Sequence, residues 1–344
     1  MEGLTELQVE LLAATVKVLL VVGVLLGLFS GMTYVERRLL AFMQFRLGPN
    51  RTGPLGLLQP VADGIKLFFK EELMPAAANR LAFLGAPVVA IATAFMAVAV
   101  IPYGPPFDAF GRRWQIQIAD LDVGLLFLFA ISSLGVYGIV MAGWAANNKW
   151  SLLGGLRSAA QMFSYELSLG LSFVGVILLA GSFRIADIVD RQAGGFWNWN
   201  AIVQFPAFLV YSIAACAEVS RTPFDLPEGE SELVAGFHTE YSSMRFALLQ
   251  MAEYVNMITV AVLATNLFLG GWHPGVPGLP AEGIPGFVWF SAKVGLILFV
   301  FIWLRGTLPR FRYDQLMSFG WKVLIPLAVL NILATAAVVA LARR

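Results

Sequence analysis

Mostly apolar runs recur along the whole chain, near residues 10–33, 81–102, 122–143, 160–181, 202–218, 244–270, 286–304 and 320–342. Roughly 20 such residues carry an α-helix across the hydrocarbon core of a bilayer. In lipid the backbone must satisfy its own hydrogen bonds, which only helices and closed barrels achieve. The spacing therefore predicts an all-α polytopic membrane helix bundle with about eight transmembrane helices, the fifth marginal in length. Composition agrees. The 344 residues are 58% hydrophobic and 13% charged, with mean hydropathy +0.76, and a soluble domain carries about twice that charged fraction. The chain reads as one integral membrane domain over 1–344. Its acidic start, Met1 to Glu10, reads as a retained first helix and not as a cleaved signal. No internal repeat is evident, which disfavours an inverted-repeat transporter.

Basic residues set the expected orientation. Arg37, Arg38, Arg46, Arg51, Lys66, Lys70 and Arg80 fall between the first two spans. Lys149, Arg157, Arg221, Arg245, Arg305, Arg310, Arg312 and Lys322 fall on the same side. The other side holds only Arg112, Arg113, Arg184, Arg191, Arg343 and Arg344. The richer side is expected to be cytoplasmic, with both termini external. Specialised cytoplasmic loops then cover about 34–80, 144–159, 219–243 and 305–319, dense in Gly, Pro, Arg and acid, as suits docking of a large partner. Within the first, Leu58, Val61, Ala62, Ile65, Phe68 and Phe69 recur at helical spacing, with Gln59, Asp63, Lys66 and Lys70 on the opposite face. Barely three turns long, this helix should lie along the interface, as an ordinary connector or as the lip of an opening for a lipid-like substrate.

The counts exclude much chemistry. A net charge of +1 gives no basis for nucleic-acid binding. An iron–sulfur cluster typically needs four Cys ligands and a bis-His haem two facing histidines. The chain has only Cys216, and its two histidines, His238 and His273, fall on opposite sides of the expected topology. No metal site, no cofactor bound by this chain alone and no catalytic residue of its own are therefore expected; any redox centre belongs to a partner.

Acids clustered beside lipid are costly and serve ion or proton handling better than packing. The stretch Glu218–Tyr241 holds Glu218, Asp225, Glu228, Glu230, Glu232 and Glu240 with Arg221, interleaved with Pro223, Phe224, Leu226 and Pro227. Glu166 opens the fourth span, and Glu253 lies about 15 Å into the sixth at 1.5 Å per residue. Glu36 and Arg37 follow the first span, and Arg305 ends the seventh. Such carboxylates titrate as a coupled set. Taken alone, they fit a coupling subunit of a larger machine and an autonomous proton or ion transporter.

Four motifs then converge on one family. The chain resembles the H subunit of proton-pumping NADH:quinone oxidoreductase, respiratory complex I. The resemblance rests on Glu36-Arg37-Arg38, Gln44 to Arg51 and Leu57 to Asp63 in the first loop, and on Gly143-Trp144, Leu153 to Arg157 and Ser164-Tyr165-Glu166 around the second. The acidic stretch matches the third loop and Pro309 to Met317 the fourth. The resemblance implies a membrane subunit, in the bacterial inner (cytoplasmic) membrane, that forms the quinone-access tunnel and couples quinone reduction to proton translocation. Quinone would be its substrate, with FMN and iron–sulfur clusters in partner subunits. Its partners would be hydrophilic quinone-site and iron–sulfur subunits and small membrane subunits next to the antiporter-like ones. It implies a quinone cavity of Glu36, Arg37, Arg46, Asp63, Arg221 and Arg305, and a proton pathway of Glu166, Glu218, Glu228, Glu230 and Glu253. Arg51, Arg310, Arg312 and Asp314 would dock partners. Two departures stand out: Val219-Ser220 where the pattern usually reads Thr-Asn, and His238 where it reads Asn. Related membrane-bound hydrogenases share some of these motifs, so an equivalent anchor of such an enzyme is the other reading.

Overall fold

The computed structural model describes residues 6–109, 112–226, 229–281 and 283–342, and in them the apolar runs are helices. α1 (Glu6–Met43), α2 (Gln59–Phe69) and α3 (Arg80–Val98) precede a small antiparallel hairpin, β1 (Phe107–Ala109) and β2 (Arg112–Trp114). Next come α4 (Gly124–Ala145), α5 (Lys149–Ala180), α6 (Ile185–Arg191), α7 (Asn200–Val203) and α8 (Phe205–Glu218). α9 (Glu230–Leu233), α10 (Ser243–Phe268), α11 (Gly283–Thr307), α12 (Tyr313–Phe319) and α13 (Ile325–Ala342) complete the chain, the last two joined by a π-helical turn, Gly320–Leu324.

Among the described residues seven helices are long and apolar enough to cross a membrane: α1, α3, α4, α5, α10, α11 and the continuous Tyr313–Ala342. The marginal fifth run is a broken helix. Pro206 cannot donate to the ladder, so α7 ends and α8 restarts around Gln204 and Phe205. α8 alone has 14 residues, about 21 Å of rise, short of the roughly 30 Å hydrocarbon core. At the break the Gln204 amide is buried but satisfied from α13: it donates to Thr335 Oγ1 at 2.8 Å and accepts from Asn331 Nδ2 at 2.7 Å.

The helices pack as one bundle with connectors at two ends. Tyr211 on α8 donates to the Val260 carbonyl of α10 at 2.6 Å, and Tyr165 on α5 to the Leu316 carbonyl of α12 at 2.9 Å. Both tyrosines are fully buried. Large apolar side chains instead stay exposed along α1, α11 and α13, including Leu19, Leu296 and Leu330, as lipid-facing surfaces require.

At one end the connectors interlock. Asn79 N donates to the Ala145 carbonyl at 3.0 Å, Asn148 Nδ2 to Glu240 Oε1 at 2.7 Å, and Phe311 N to the Pro223 carbonyl at 3.1 Å. Gly154 on α5 meets the turn at Gly236 backbone to backbone; a Cβ at Gly154 would lie 2.7 Å from the Gly236 Cα. The loop boundaries differ from the sequence expectation here. α1 runs through Glu36–Arg38 to Met43, and the segment 149–159 is the first three turns of α5, leaving only 146–148 as connector. Charged and small residues broke the hydropathy signal at these positions without breaking the helix.

Candidate functional site

A cavity of about 530 Å³ opens between α1, α2 and α10. Its walls are apolar side chains such as Phe29, Leu67, Phe246 and Met251, and its charged lining is Arg37, Asp63, Arg221 and Arg305. These four come from α1, α2, the segment after α8, and the end of α11. They meet because α1 continues as a helix beyond its apolar part, turning Glu36 into the bundle and Arg37 towards α2.

Glu36 is 4% exposed and is the hub. Arg305 forms an ion pair with it, Arg221 Nη1 lies 3.7 Å from Glu36 Oε1, and the Tyr254 hydroxyl donates to Oε2 at 2.8 Å. The Arg221 guanidinium also sits 4.4 Å from the centre of the Tyr254 ring, a cation–π contact worth about 0.5–2 kcal/mol. A buried carboxylate needs this much compensation. Arg37 pairs with Asp63, which also accepts from Gln59 Nε2 at 3.1 Å. Asp63 thus bonds across to α1 and one turn back along its own helix to Gln59, rather than forward to Lys66. The pair is half exposed and contributes at most about 1 kcal/mol; it holds α2 at the cavity mouth.

Beyond this cavity lie two pairs of acids, Asp225 with Glu253 and Glu218 with Glu166. Asp225 takes a hydrogen bond from Arg310 Nη2 at 3.0 Å. Burial pushes Asp225 up to about 6, against the pull of Arg310, while the Glu253 charge raises it further and Arg221 lowers it. Glu253 Oε1 lies 3.3 Å from His238 Nε2, and the His238 ring packs 3.9 Å from the ring of Phe237. Gln161 fixes this region by donating to the carbonyls of Ala217 and Phe224, both at 2.7 Å. Glu218, at the end of α8, keeps one carboxylate oxygen buried without a hydrogen-bond partner among the described residues, and it lies within electrostatic reach of Glu166. Glu166 accepts from Ser133 and opens onto a second cavity of about 510 Å³ between α4 and α5.

The structure therefore gathers Glu36, Arg37, Asp63, Arg221 and Arg305 at one cavity, and places Asp225 and Glu253, then Glu218 and Glu166, as neighbours. Arg46 does not line that cavity; it donates to Gln44 within its own turn at 2.7 Å, and Arg51 is exposed nearby. Both lie beyond Met43, where the chain turns away from α1. Arg310 is partly exposed and pairs with Asp225. Arg312 and Asp314 form an exposed two-bond pair at 2.6 and 2.8 Å. Glu228 lies outside the described residues, as does the side chain of Glu230. Sequence reasoning missed Tyr254 and Ser133, and it left Asp225 among a run of acids. Neither Tyr254 nor Ser133 carries a signal of its own in the sequence, since each reads as an ordinary residue of an apolar helix.

Comparison with known proteins fits this arrangement. A family model described as NADH dehydrogenase matches residues 16–336. The NADH-quinone oxidoreductase H subunit 2 of Koribacter versatilis is 51% identical, the match covering 96% of this chain and 98% of the relative. The H subunit 1 of the same enzyme in Geobacter metallireducens is 52% identical over 96% and 98%. The H subunit of Rhodospirillum rubrum is 52% identical over 91% and 89%. Identity at this level over nearly the whole of both chains shows that the protein belongs to the family of NADH-quinone oxidoreductase H subunits.

Proposed function

We propose that the chain is the membrane subunit of a proton-translocating NADH:quinone oxidoreductase in which a quinone enters the cavity between α1, α2 and α10, and that the carboxylates beyond it couple quinone reduction to proton movement. The observation that carries this reading is the meeting of Arg37, Asp63, Arg221 and Arg305 in one largely apolar cavity, with Tyr254 in its lining and Glu36 behind it. An apolar wall suits an isoprenoid tail, and the charged end suits a head group that gains negative charge on reduction. The side holding α2 and the acidic loop is cytoplasmic in this proposal. The hydrophilic partners dock there and carry the FMN and iron–sulfur clusters, since one cysteine cannot ligate a cluster.

In mechanism, the chain's own groups orient charge and hold protons. When quinone gains negative charge near Arg221 and Arg305, Glu36 loses part of its compensation and the field at Asp225 changes. Asp225, poised at about 6, passes the perturbation to Glu253 and His238, and the set continues through Glu218 to Glu166. A photoreactive quinone analogue tests the first step. In the assembled complex it should label cavity residues of α1, α2 and α10 in competition with quinone; label confined to other subunits contradicts the reading.

Two milder variants probe the same geometry. Asp63→Asn loosens α2 from Arg37 and should raise the quinone KM several-fold while the complex assembles normally on a native gel. Arg310→Gln removes the main cation that holds the Asp225 pKa down. Asp225 then binds its proton at higher pH, so the acid limb of the turnover–pH profile should move upward; an unmoved limb takes Asp225 out of the pathway.

A further inference from the structure

A third cavity, of about 380 Å³, lies in the membrane-spanning part between α1, α10 and α11, lined by apolar side chains including Leu20, Val24 and Leu28. Its floor is buried, at Leu25, Phe290 and Leu298, while Leu20, Val24 and Leu28 at its rim are 55%, 51% and 44% exposed. It is therefore a groove open to the side. At Gly295 no heavy atom lies within 4 Å of where a Cβ would stand. Lys17 lies on the same stripe of α1, three, seven and eleven residues before Leu20, Val24 and Leu28. Its ammonium lies 5.7 Å from the ring of Trp114. No acidic residue occurs on α1 between Leu11 and Val35, and none lines the groove.

From this the geometry points to a binding site for one anionic phospholipid of the leaflet at the N-terminal end of α1, its phosphate on Lys17 and one acyl chain in the groove. Lys17 lies about two turns inside the first apolar run, close enough to the helix end for its side chain to extend back to the interface, where Trp is also at home, so cation and aromatic mark the head-group level. The groove runs from there along α1 for about 12 Å between Leu20 and Leu28 at 1.5 Å per residue. It is not a branch of the charged cavity. The two share no lining residue. On α1 the charged cavity takes Leu26, Phe29, Thr33 and Arg37, a stripe about half a turn from that of Lys17 at roughly 100° per residue. A neutral quinone head offers Lys17 only carbonyl acceptors; a phosphate adds a full negative charge.

Phosphatidylglycerol with a diazirine in one acyl chain, added to the purified complex, tests the site. Label should fall on residues 17–28 and 287–298, and unlabelled phosphatidylglycerol should dilute it. Gly295→Trp, which fills the groove, should cut the label at least five-fold. Lys17→Gln should cut it several-fold while Lys17→Arg keeps it, and quinone turnover should stay near wild type in both. If Gly295→Trp fails to assemble, Gly295→Leu with the dilution experiment decides. Label that cannot be diluted or ignores the Gly295 and Lys17 substitutions overturns the proposal. So does label at these residues from a diazirine-tailed quinone that competes with the lipid.

Discussion

Glu253→Gln is expected to lower quinone-reductase turnover by tenfold or more in a complex that assembles normally. Glutamine keeps the volume and one hydrogen bond to His238 but cannot take up or release a proton. Tenfold corresponds to about 1.4 kcal/mol on the barrier, well within what a mid-span carboxylate commands. Glu218→Gln should do the same, although Glu218 and Glu253 sit on different helices. If the two serve one proton-responsive chain, the double variant will be little worse than either single one. Multiplicative losses would instead describe two independent structural acids.

Glu36→Gln should be as damaging for a different reason. Arg305 and Arg221 both converge on this carboxylate, which is 4% exposed. Without the anion both guanidinium groups lose the carboxylate they share, and removing one partner of a buried ion pair costs about 3–5 kcal/mol. The expected result is a loss of at least tenfold in kcat/KM for quinone, with Glu36→Asp recovering part of it. Loss of assembly in Glu36→Gln, with wild-type kinetics in whatever complex remains, would make the cluster a structural clasp only.

The architecture was legible because lipid imposes the length of every span, and no soluble alternative tolerates such runs. The broken fifth span was visible as a short run; its cause, Pro206 with Gln204 held by α13, was not, since it depends on a partner over a hundred residues away. Among the cavity residues, Glu36, Asp63 and Arg221 lie in the motifs that carry the resemblance, whereas Arg305 lies outside them and came only with what the resemblance implies. Their convergence on one cavity was invisible, because Glu36 and Arg305 are 269 residues apart. Arg46 sits in the same rich motif as the cavity residues, and the turn after Met43 places it outside the lining of this cavity. Tyr254 shows the general limit. An aromatic hydroxyl in an apolar helix reads as core until the carboxylate that it serves is placed beside it.

The most direct test of the coupling claim is the number of protons moved per electron transferred, measured with turnover in vesicles reconstituted with the whole complex. A Glu253→Gln enzyme should lose turnover and proton movement together, and any residual electron transfer should carry fewer protons than in the wild type. Wild-type turnover with an unchanged proton-to-electron ratio would contradict the account and leave Glu253 a buried acid held by His238.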